Sequence, residues 1–433
     1  MINIFWFRRD LRLDDNAGLF HALSSKLPVL PLFIFDTHIL DDLPKPFDPR
    51  VDFIYKQVLE LKNKLEKRGS TICLKYGQPA DVFQELIEEF PIQTVFTNHD
   101  YEPYARKRDE VIKQLLISHE IGFSTFKDQV IFEKDEILKK DGKPYTIFTP
   151  YMRQWKAKLL QNPVTSFHSE KKLNHLFLCP PLPMPTLSDL GFKYTHYPFP
   201  PKKFNEELIK NYHLTRDFPG IQGTSRLGVH LRFGTISIRK LINKAIALND
   251  TFLNELIWRE FYMGNILWHY PQVIDQSFKE KFDRIPWRNN EEEFQAWCKG
   301  KTGYPMVDAG MRELNFTGFM HNRVRMLTAS FLVKHLLIDW RWGESYFAEK
   351  LLDFELSSNN GGWQWAASSG CDAVPYFRIF NPESQCKKWD PDLKYVRKWV
   401  PEFDDPKKYI KPIVDYSFGR KRALETYQQA VNQ

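Results

Sequence analysis

The chain has 433 residues and a net charge of +7, and this length allows several domains around large buried cores. Its five cysteines form no CxxC pair, which favours reduced thiols over disulfides or a zinc site. No apolar run is long enough to cross a bilayer and no signal peptide begins the chain, so we expect a cytoplasmic protein without a membrane partner.

The first third of the chain alternates predicted strands and helices. Apolar strands are predicted over residues 2–7, 29–35, 71–75, 94–98 and 123–127, with amphipathic helices over 17–24, 51–67, 80–89 and 105–119. This alternation predicts βαβ crossovers and a Rossmann-like α/β domain with a five-stranded parallel sheet, residues 1–128. No phosphate-binding glycine fingerprint follows the first strand, which argues against NAD.

The rest of the chain has a different pattern. Residues 129–204 are rich in proline and show little periodicity, which predicts an extended interdomain linker. Helical periodicity dominates residues 205–433, with helices predicted over 251–269, 291–299, 305–315, 322–337 and 346–352. We therefore expect an α/β domain, a long linker and an all-α domain.

The most unusual stretch, residues 359–370, reads NNGGWQWAASSG. Tandem glycines allow the backbone to approach a ligand closely, and the small residues that follow leave room for a bulky one. The alternative is a tight turn that leads into an aromatic core. With 12 tryptophans and 15% aromatic residues, the chain has many stacking surfaces for planar partners.

A loop over residues 217–228 combines Gly220 and Gly223 with Thr224, Ser225 and Arg226. Free backbone N–H groups, hydroxyls and a cation at a helix start suit a pyrophosphate. The alternative is a plain cap, in which Thr224 or Ser225 caps the helix that follows.

Two predicted helices carry polar and aromatic side chains on one face. Glu255 lies on the same face as Trp258 and Arg259, and Asn322 lies on the same face as Arg325 and Met326. Such faces could bind a nucleobase, or they could be a salt bridge beside a core residue. Asp353 and Glu355 follow a helix end, where carboxylates cap or pair more often than they catalyse. Spacing alone does not bring Trp287, Trp340 and Trp363 together.

Six segments in order resemble the photolyase/cryptochrome family: FWFRRDLR (5–12), TSRLG (224–228), NELIWREFY (254–262), TGYPMVDAGMREL (302–314), FMHNRVRM (319–326) and NNGGWQWAASSG. The resemblance runs along the whole chain. It implies one non-covalent FAD per chain, active when reduced, in the helical domain. The matching positions for FAD are Tyr212, Thr224, Ser225, Arg226, Leu227, Gly228, Phe252, Asn322, Arg325, Asp353, Phe354, Glu355 and Asn359.

The resemblance also indicates the substrate. The chain is most like photolyases that act on cyclobutane pyrimidine dimers (CPDs), because Glu255, Trp258, Met326 and Trp365 together resemble their set. Met326 also stands where relatives acting on single strands carry Gln. The implied catalytic set is Glu255, Trp258, Asn322, Met326, Asn359 and Trp365. The implied DNA-binding set is Arg216, Glu255, Trp258, Arg259, Asn322, Arg323 and Arg378. The expected partner is UV-damaged DNA, duplex or single-stranded, bound by a monomer without an obligate protein partner.

The family mechanism implies a role for each set. The dimer is flipped out of the helix and split by an electron from light-excited, reduced flavin, and Glu255 hydrogen-bonds the dimer. Trp287, Trp340 and Trp363 resemble the relay that photoreduces oxidised flavin. Residues 101–109 (YEPYARKRD) lack the Asn-Glu pair of folate-binding relatives, so an antenna chromophore of deazaflavin or flavin type is expected over folate.

Alternatives stay open at this point. A blue-light-sensing cryptochrome would keep the flavin and the relay without repair, and a photolyase could act on a different photoproduct. A flavoprotein that binds nucleic acid without catalysis would show no light-dependent turnover.

Overall fold

The computed structural model describes residues 1–432, which form two compact units that interleave along the chain. The first unit comprises residues 1–136, 156–204 and 226–247. The second comprises residues 137–155 and 205–225 together with the remainder from residue 248. The sequence pattern instead predicts consecutive domains with boundaries at residues 128 and 204, and these boundaries stay predictions.

The first unit is built on a five-stranded sheet. Its elements in chain order are β1 (Ile2–Phe7), α1 (Ala17–Leu23), β2 (Val29–Asp36), α2 (Thr37–Leu40), α3 (Pro49–Glu66), β3 (Cys73–Gly77), α4 (Pro79–Glu89), β4 (Ile92–Asn98), α5 (Pro103–Ser118) and β5 (Gly122–Phe126). The strand order is β3-β2-β1-β4-β5, and every pair is parallel. The predicted parallel sheet of five strands is confirmed.

Burial explains why these segments form a parallel sheet. Every residue of β1 and β2 is buried, as expected for central strands covered on both faces by crossover helices. Ile4 lies opposite both Leu30 and Val95, so the apolar side chains of neighbouring strands are in register. Asn16 caps α1 by accepting a hydrogen bond from the Leu19 backbone N–H at 3.1 Å.

A charge network that includes the FWFRRDLR segment is buried in this unit. Arg12 Nη2 lies 2.8 Å from both Asp128 carboxylate oxygens, and Arg239 Nη2 lies 2.7 Å from Asp128 Oδ1. Burial opposes ionisation of Asp128, but the two guanidinium groups outweigh it and hold its pKa at about 2. Arg12 is therefore a structural part of this network.

The segment expected to be an extended linker contains a helix, so that expectation is wrong over α6 (Phe148–Gln161). Trp155 on α6 is fully buried, and its Nε1 donates to Glu260 Oε1 at 2.5 Å. Single turns of 3₁₀ helix lie at Lys134–Glu136, Ser169–Lys171 and Leu173–His175. The proline-rich residues 180–201 form neither helix nor strand.

The remainder of the described chain is helical, as predicted. Its α-helices are α7 (Glu206–Lys210), α8 (Tyr212–Thr215), α9 (Gly228–Arg232), α10 (Ile238–Leu248), α11 (Asp250–Glu260), α12 (Glu291–Cys298), α13 (Pro305–Thr317), α14 (Asn322–Ser330), α15 (Trp340–Lys350), α16 (Leu356–Ala367), α17 (Pro382–Trp389), α18 (Lys394–Trp399) and α19 (Tyr416–Asn432). Short 3₁₀ segments lie at Pro271–Ile274 and Glu280–Arg284.

Two helices that the sequence predicts as continuous change geometry partway along. The helix predicted over residues 251–269 becomes π-helical at Phe261–Leu267, and the helix predicted over 322–337 becomes π-helical at Phe331–Leu336. Such π-helical stretches occur often at functional sites. Here each one continues a helix, α11 or α14, whose residues line the cavity described next.

Candidate functional site

The second unit contains a cavity of about 450 Å³. Helices α11, α14 and α16 supply most of its lining. All six predicted catalytic residues lie on its wall: Glu255, Trp258, Asn322, Met326, Asn359 and Trp365. Further predicted residues on the wall are Arg216, Arg259, Arg323, Arg325, Asp353, Phe354, Glu355 and Trp363.

One wall of the cavity is an aromatic stack on α11 and the π-helical segment that follows it. Trp258 stacks on Tyr262, with ring centroids 5.5 Å apart. Phe148 stacks on Trp258 at 3.7 Å with an interplanar angle of 6°. Because neighbouring rings fix the indole, Trp258 offers the cavity a flat apolar surface of set orientation.

Alternating charges connect α11 to α14 on the part of the cavity wall that carries Arg216, Glu255 and Arg323, which we call the mouth. Arg216 Nη1 lies 2.5 Å from Glu255 Oε1, and Arg323 Nη2 lies 2.5 Å from Asp217 Oδ1. Arg216 Nε lies 3.8 Å from Asp217 Oδ1, which links the two pairs. Burial acts to lower the pKa of Arg216, but the combined effects of Glu255, Tyr212 and Asp217 outweigh burial and raise it. We call these four residues the charge row.

The start of α14 is capped by a neutral histidine. His321 Nδ1 accepts a hydrogen bond from the Arg323 backbone N–H at 3.1 Å, so this nitrogen carries no proton. Burial lowers the pKa of His321 to about 4. His321 therefore serves as a helix cap, and Asn322 beside it is the polar side chain on the cavity wall.

Arg325 is held rigidly on the same helix. Its Nε donates to the Met320 backbone carbonyl at 2.7 Å, and its Nη2 lies 3.1 and 3.0 Å from the two carboxylate oxygens of Asp353. The predicted pairing of Arg325 with Asp353 is present on the cavity wall. Such a pair presents both a fixed cation and a fixed anion to a bound polar molecule.

The start of α16 fixes Glu355 and Asn359. Glu355 caps the helix by accepting from the backbone N–H groups of Ser357 and Ser358 at 3.2 and 2.9 Å. Asn359 Nδ2 donates to the backbone carbonyl of Glu344 at 3.1 Å and to its Oε1 at 2.8 Å. A carbonyl can only accept, so the amide nitrogen must face Glu344 and Asn359 Oδ1 is left for the cavity.

Tandem Gly361-Gly362 lies inside α16, so the alternative of a tight turn is wrong. A Cβ on Gly361 would lie 2.3 Å from the Tyr262 ring, which requires glycine for the close packing of α16 against that ring. A Cβ on Gly362 would meet no atom within 4 Å, and Gly362 lines the cavity. One glycine therefore permits helix packing and the other leaves space for a ligand.

Several predicted cofactor residues lie off the cavity wall. Tyr212 and Phe252 pack against each other with centroids 5.2 Å apart. The expected capping by Thr224 or Ser225 is wrong, because α9 begins after Leu227 and has no side-chain cap. Thr224 and Ser225 belong to the second unit, whereas Arg226, Leu227 and Gly228 belong to the first. Their roles toward a cofactor stay predictions.

The three relay tryptophans differ in their surroundings. Trp363 and Trp340 are buried, and Trp287 is half-buried against Tyr427. Within residues 1–432 no two of the three are in direct ring contact. Trp363 instead contacts the fully buried Trp297, at 6.0 Å between centroids. The order of electron transfer through these residues stays a prediction.

The two remaining predicted DNA-binding residues lie in different places. Arg259 lines the cavity, whereas Arg378 is exposed on the loop between α16 and α17. Phe377 beside it is also exposed. These positions make Arg378 a surface cation whose interaction with DNA would be independent of the cavity wall.

The sequence reasoning missed several residues of the site, among them Tyr262 and Glu344. Tyr262 lies one turn after Trp258 and two turns after Glu255, so helical spacing could have identified it. Glu344, which fixes the Asn359 amide, lies on another helix and gives no local signal. Burial raises the pKa of Glu344, and the hydrogen bond from Asn359 opposes that rise.

Residues 1–432 contain neither a metal-binding cluster of side chains nor a helix that could span a membrane. In that part of the chain no group of three or more His, Cys, Asp and Glu side chains is arranged to hold a metal ion. In the same residues no helix is both long and apolar enough to cross a membrane. All five cysteines are free.

Comparisons with known proteins agree with this geometry. Residues 3–170 match the DNA photolyase family and residues 252–411 match the FAD binding domain of DNA photolyase. The chain is 36% identical to the deoxyribodipyrimidine photo-lyase of Synechococcus sp., over 98% of this chain and 96% of that one.

Two solved structures are also similar. A bacterial class III photolyase from Agrobacterium tumefaciens superposes with a TM-score of 0.85 and 33% identity, covering 100% of this chain and 98% of that one. An archaeal photolyase from Sulfolobus tokodaii with two FAD molecules gives a TM-score of 0.83 and 32% identity, covering 99% and 100%. On its sequence, its sheet and helical units and these matches, the chain belongs to the DNA photolyase family.

Proposed function

We propose that this protein repairs cyclobutane pyrimidine dimers in DNA with light, using one FAD bound non-covalently in the cavity of the helical unit. The observation that carries this proposal is the convergence of Glu255, Trp258, Met326, Asn359 and Trp365 on a single cavity wall. These residues come from three different helices, and they provide an acceptor, flat apolar surfaces and an amide in one place.

The residues around Arg325 and Asn359 on the cavity wall, which we call the deep end, fit FAD. Asn359 Oδ1 accepts no hydrogen bond from the described residues, and it is therefore available to a flavin ring N–H. The Arg325–Asp353 pair supplies complementary charge, and the space at Gly362 admits a planar ring. We expect these residues, with Phe354, to hold the flavin, and Tyr212, Phe252 and the segment 224–228 to contribute around the rest of the cofactor.

When bound in its reduced form, FAD supplies the light-driven electron that splits the dimer. The protein prepares the dimer for that step. Trp258 and Trp365 enclose its apolar faces, and Met326 fills the wall between α14 and α16. Glu255 accepts hydrogen bonds from the dimer and holds it against the wall, while Asn322 offers an amide beside it.

DNA would be held by cations around the mouth of the cavity. Arg216, Arg259 and Arg323 line the cavity, and Arg378 lies on the exposed loop beyond it. Contacts with phosphates position the strand without reading its sequence, so selectivity must come from the cavity. A dimer that is already distorted costs less free energy to flip than an intact base pair, and duplex and single strands both serve as substrates.

Electron supply and light capture complete the proposal. Trp363, Trp340 and Trp287 would carry electrons to oxidised flavin, with Trp363 proximal because it lines the cavity. The sheet unit would hold an antenna chromophore of deazaflavin or flavin type, and the second FAD in the Sulfolobus tokodaii structure supports the flavin option. The protein would act in the cytoplasm as a monomer, with no obligate protein partner.

The proposal is tested with purified, FAD-loaded and chemically reduced protein on duplexes carrying one thymine dimer. Blue light should remove the dimer, and no loss should occur in the dark or with oxidised protein. Binding to the damaged duplex in the dark without light-driven loss would contradict repair. Loss of a six-four photoproduct but not of the cyclobutane dimer would contradict the substrate assignment. Extraction should release one FAD per chain.

A further inference from the structure

The charge row at the cavity mouth uses the same arginines that are expected to bind phosphates. Arg216 is paired with Glu255 and Arg323 with Asp217, each at 2.5 Å. The four side chains are only 20–30% exposed, so water replaces these pairings poorly. DNA must therefore compete with a carboxylate for the charge and for part of the N–H donors of either arginine.

Additional contacts hold the arginine at the α14 end of the row in place. The Arg323 guanidinium lies over the Trp389 ring at 4.5 Å, and its Nη1 lies 3.8 Å from Met326 Sδ. Its Nε is buried without a hydrogen-bond partner among the described residues. Arg323 thus has an unused donor, but its charge is already paired with Asp217.

Moving Arg216 to a phosphate has different consequences for intact and damaged DNA. With intact DNA, Glu255 is left unpaired in a partly buried position next to an incoming phosphate, which is unfavourable. With a flipped pyrimidine dimer, the imide N–H groups of the bases can donate to Glu255 and replace the lost guanidinium. The same exchange is therefore costly for one ligand and compensated for the other.

We propose that the charge row is a selectivity device, in which Glu255 withholds Arg216 from phosphates until a flipped dimer supplies hydrogen-bond donors to replace it. Glu255 then acts twice, against undamaged DNA in the free protein and on the dimer in the complex. The inference rests on the proposed function, because it takes a flipped pyrimidine dimer as the ligand of the cavity.

A double-mutant cycle on undamaged duplex in the dark tests the charge row without a lesion or light. Glu255→Gln should raise the affinity for undamaged duplex roughly twofold to fivefold, the size expected for release from one partly exposed ion pair. In an Arg216→Met background the same Glu255→Gln change should give a clearly smaller gain, because no arginine is left to release and only the repulsion between Glu255 and phosphates is removed. The exposed Glu292→Gln on α12 is the matched control for loss of one negative charge.

Two outcomes would contradict the proposed role of the charge row in selectivity. If Glu255→Gln raised affinity as much in the Arg216→Met background as in the wild-type background, the effect would be plain charge repulsion. If it gave no gain in the wild-type background, Arg216 would not be withheld at all. A second cycle uses Asp217→Asn, alone and combined with Arg323→Met, at the α14 end of the charge row. The proposal can therefore be tested even if one Glu255 or Arg216 variant fails to fold. FAD content of each variant checks folding.

The same titration with a duplex carrying a thymine dimer separates this inference from the proposed function. Glu255→Gln should lower the ratio of damaged to undamaged affinity by at least the gain on undamaged DNA. If the wild-type protein showed no preference for the dimer, the proposed function would be contradicted. The result of the double-mutant cycle on undamaged duplex would still be valid, because that cycle does not use the dimer. Binding is measured by anisotropy at about 0.1 M salt, where charges within about 10 Å still interact.

Discussion

The two ends of the cavity are built differently. At the deep end, Arg325 and Asn359 are each fixed by two or more hydrogen bonds to backbone or carboxylate groups. At the mouth, Arg216 and Glu255 pair with each other, and Arg216 also contacts Asp217 and the Tyr212 ring, at positions where phosphates could compete. The deep end suits a resident cofactor that must not move, and the mouth suits a ligand that arrives and leaves.

Replacing Trp363 with Phe should have the largest effect and should touch only the deep end. Photoreduction of oxidised flavin should fall at least tenfold, because the proximal relay residue is lost, while repair by chemically reduced protein stays near wild type. Absorbance of the flavin under blue light follows photoreduction. Trp342→Phe, a half-buried tryptophan on α15 away from the cavity wall, is the control, and normal photoreduction in Trp363→Phe would remove Trp363 from the relay.

Replacing Trp258 with Ala should weaken recognition of the dimer at the mouth and leave the flavin unaffected. The change removes a stacking surface worth about 1–3 kcal/mol per base, so the preference for damaged duplex should fall roughly fivefold or more. Trp258→Phe keeps a flat ring and should retain most of the preference. Dark titrations with both duplexes measure the ratio. An unchanged ratio in Trp258→Ala would show that α11 does not form a lesion wall.

Arg378→Ala should weaken damaged and undamaged DNA by the same factor, because this residue lies outside the cavity wall. With about four phosphate contacts expected in the wild type, log K should fall against log salt with a slope of about −3 to −4, and the variant should lose about one unit of slope. Arg420→Ala, an exposed cation on α19, is the control. A larger loss on damaged DNA would place Arg378 in lesion recognition.

Glu344→Gln should give the smallest effect, on stability alone. Burial raises the folded-state pKa of Glu344 above its usual value of 4.5, so the folded state binds the proton more tightly than the unfolded chain. This contribution is complete below about pH 4.5 and is lost as pH rises through the folded-state pKa. Each unit of rise corresponds to about 1.4 kcal/mol.

Gln keeps an acceptor for Asn359 without a titrating proton. The free energy of unfolding of Glu344→Gln should therefore fall less than that of the wild type as pH rises above about 4.5. Denaturant-induced unfolding at a series of pH values measures this free energy. The control is Glu349→Gln, an exposed residue on the same helix. An identical pH dependence in Glu344→Gln and wild type would show that Glu344 does not titrate abnormally.

Local periodicity predicted the features that depend only on residues close together in the sequence, namely the strands and the faces of single helices. The five parallel strands followed from apolar runs separated by helices, and the face formed by Glu255 and Trp258 followed from their spacing on α11. Six predicted catalytic residues on one wall required more than spacing, since three helices supply them. That convergence came from the family resemblance.

Contacts between distant elements could not be read from the sequence. The Glu344–Asn359 and Arg216–Glu255 pairs join different helices, and no pattern within either partner's segment marks them. The glycine pair at 361–362 is ambiguous locally, because glycine permits a turn as readily as close helix packing. Helix α6 was missed because it lies in a proline-rich segment of the sequence. Its buried face, which includes Trp155, is apparent only from its packing in the fold.

We propose that the deep end serves the flavin and the mouth serves the dimer. The direct test measures both photoreduction and repair yield in Glu255→Ala and Trp363→Phe, with saturating damaged duplex and reduced protein for repair. Glu255→Ala should photoreduce normally but repair less efficiently, because one hydrogen bond to a charged group, about 1.5–3 kcal/mol, is lost. Trp363→Phe should show the reverse. If both variants lost both activities to a similar extent, the division of the cavity would be wrong.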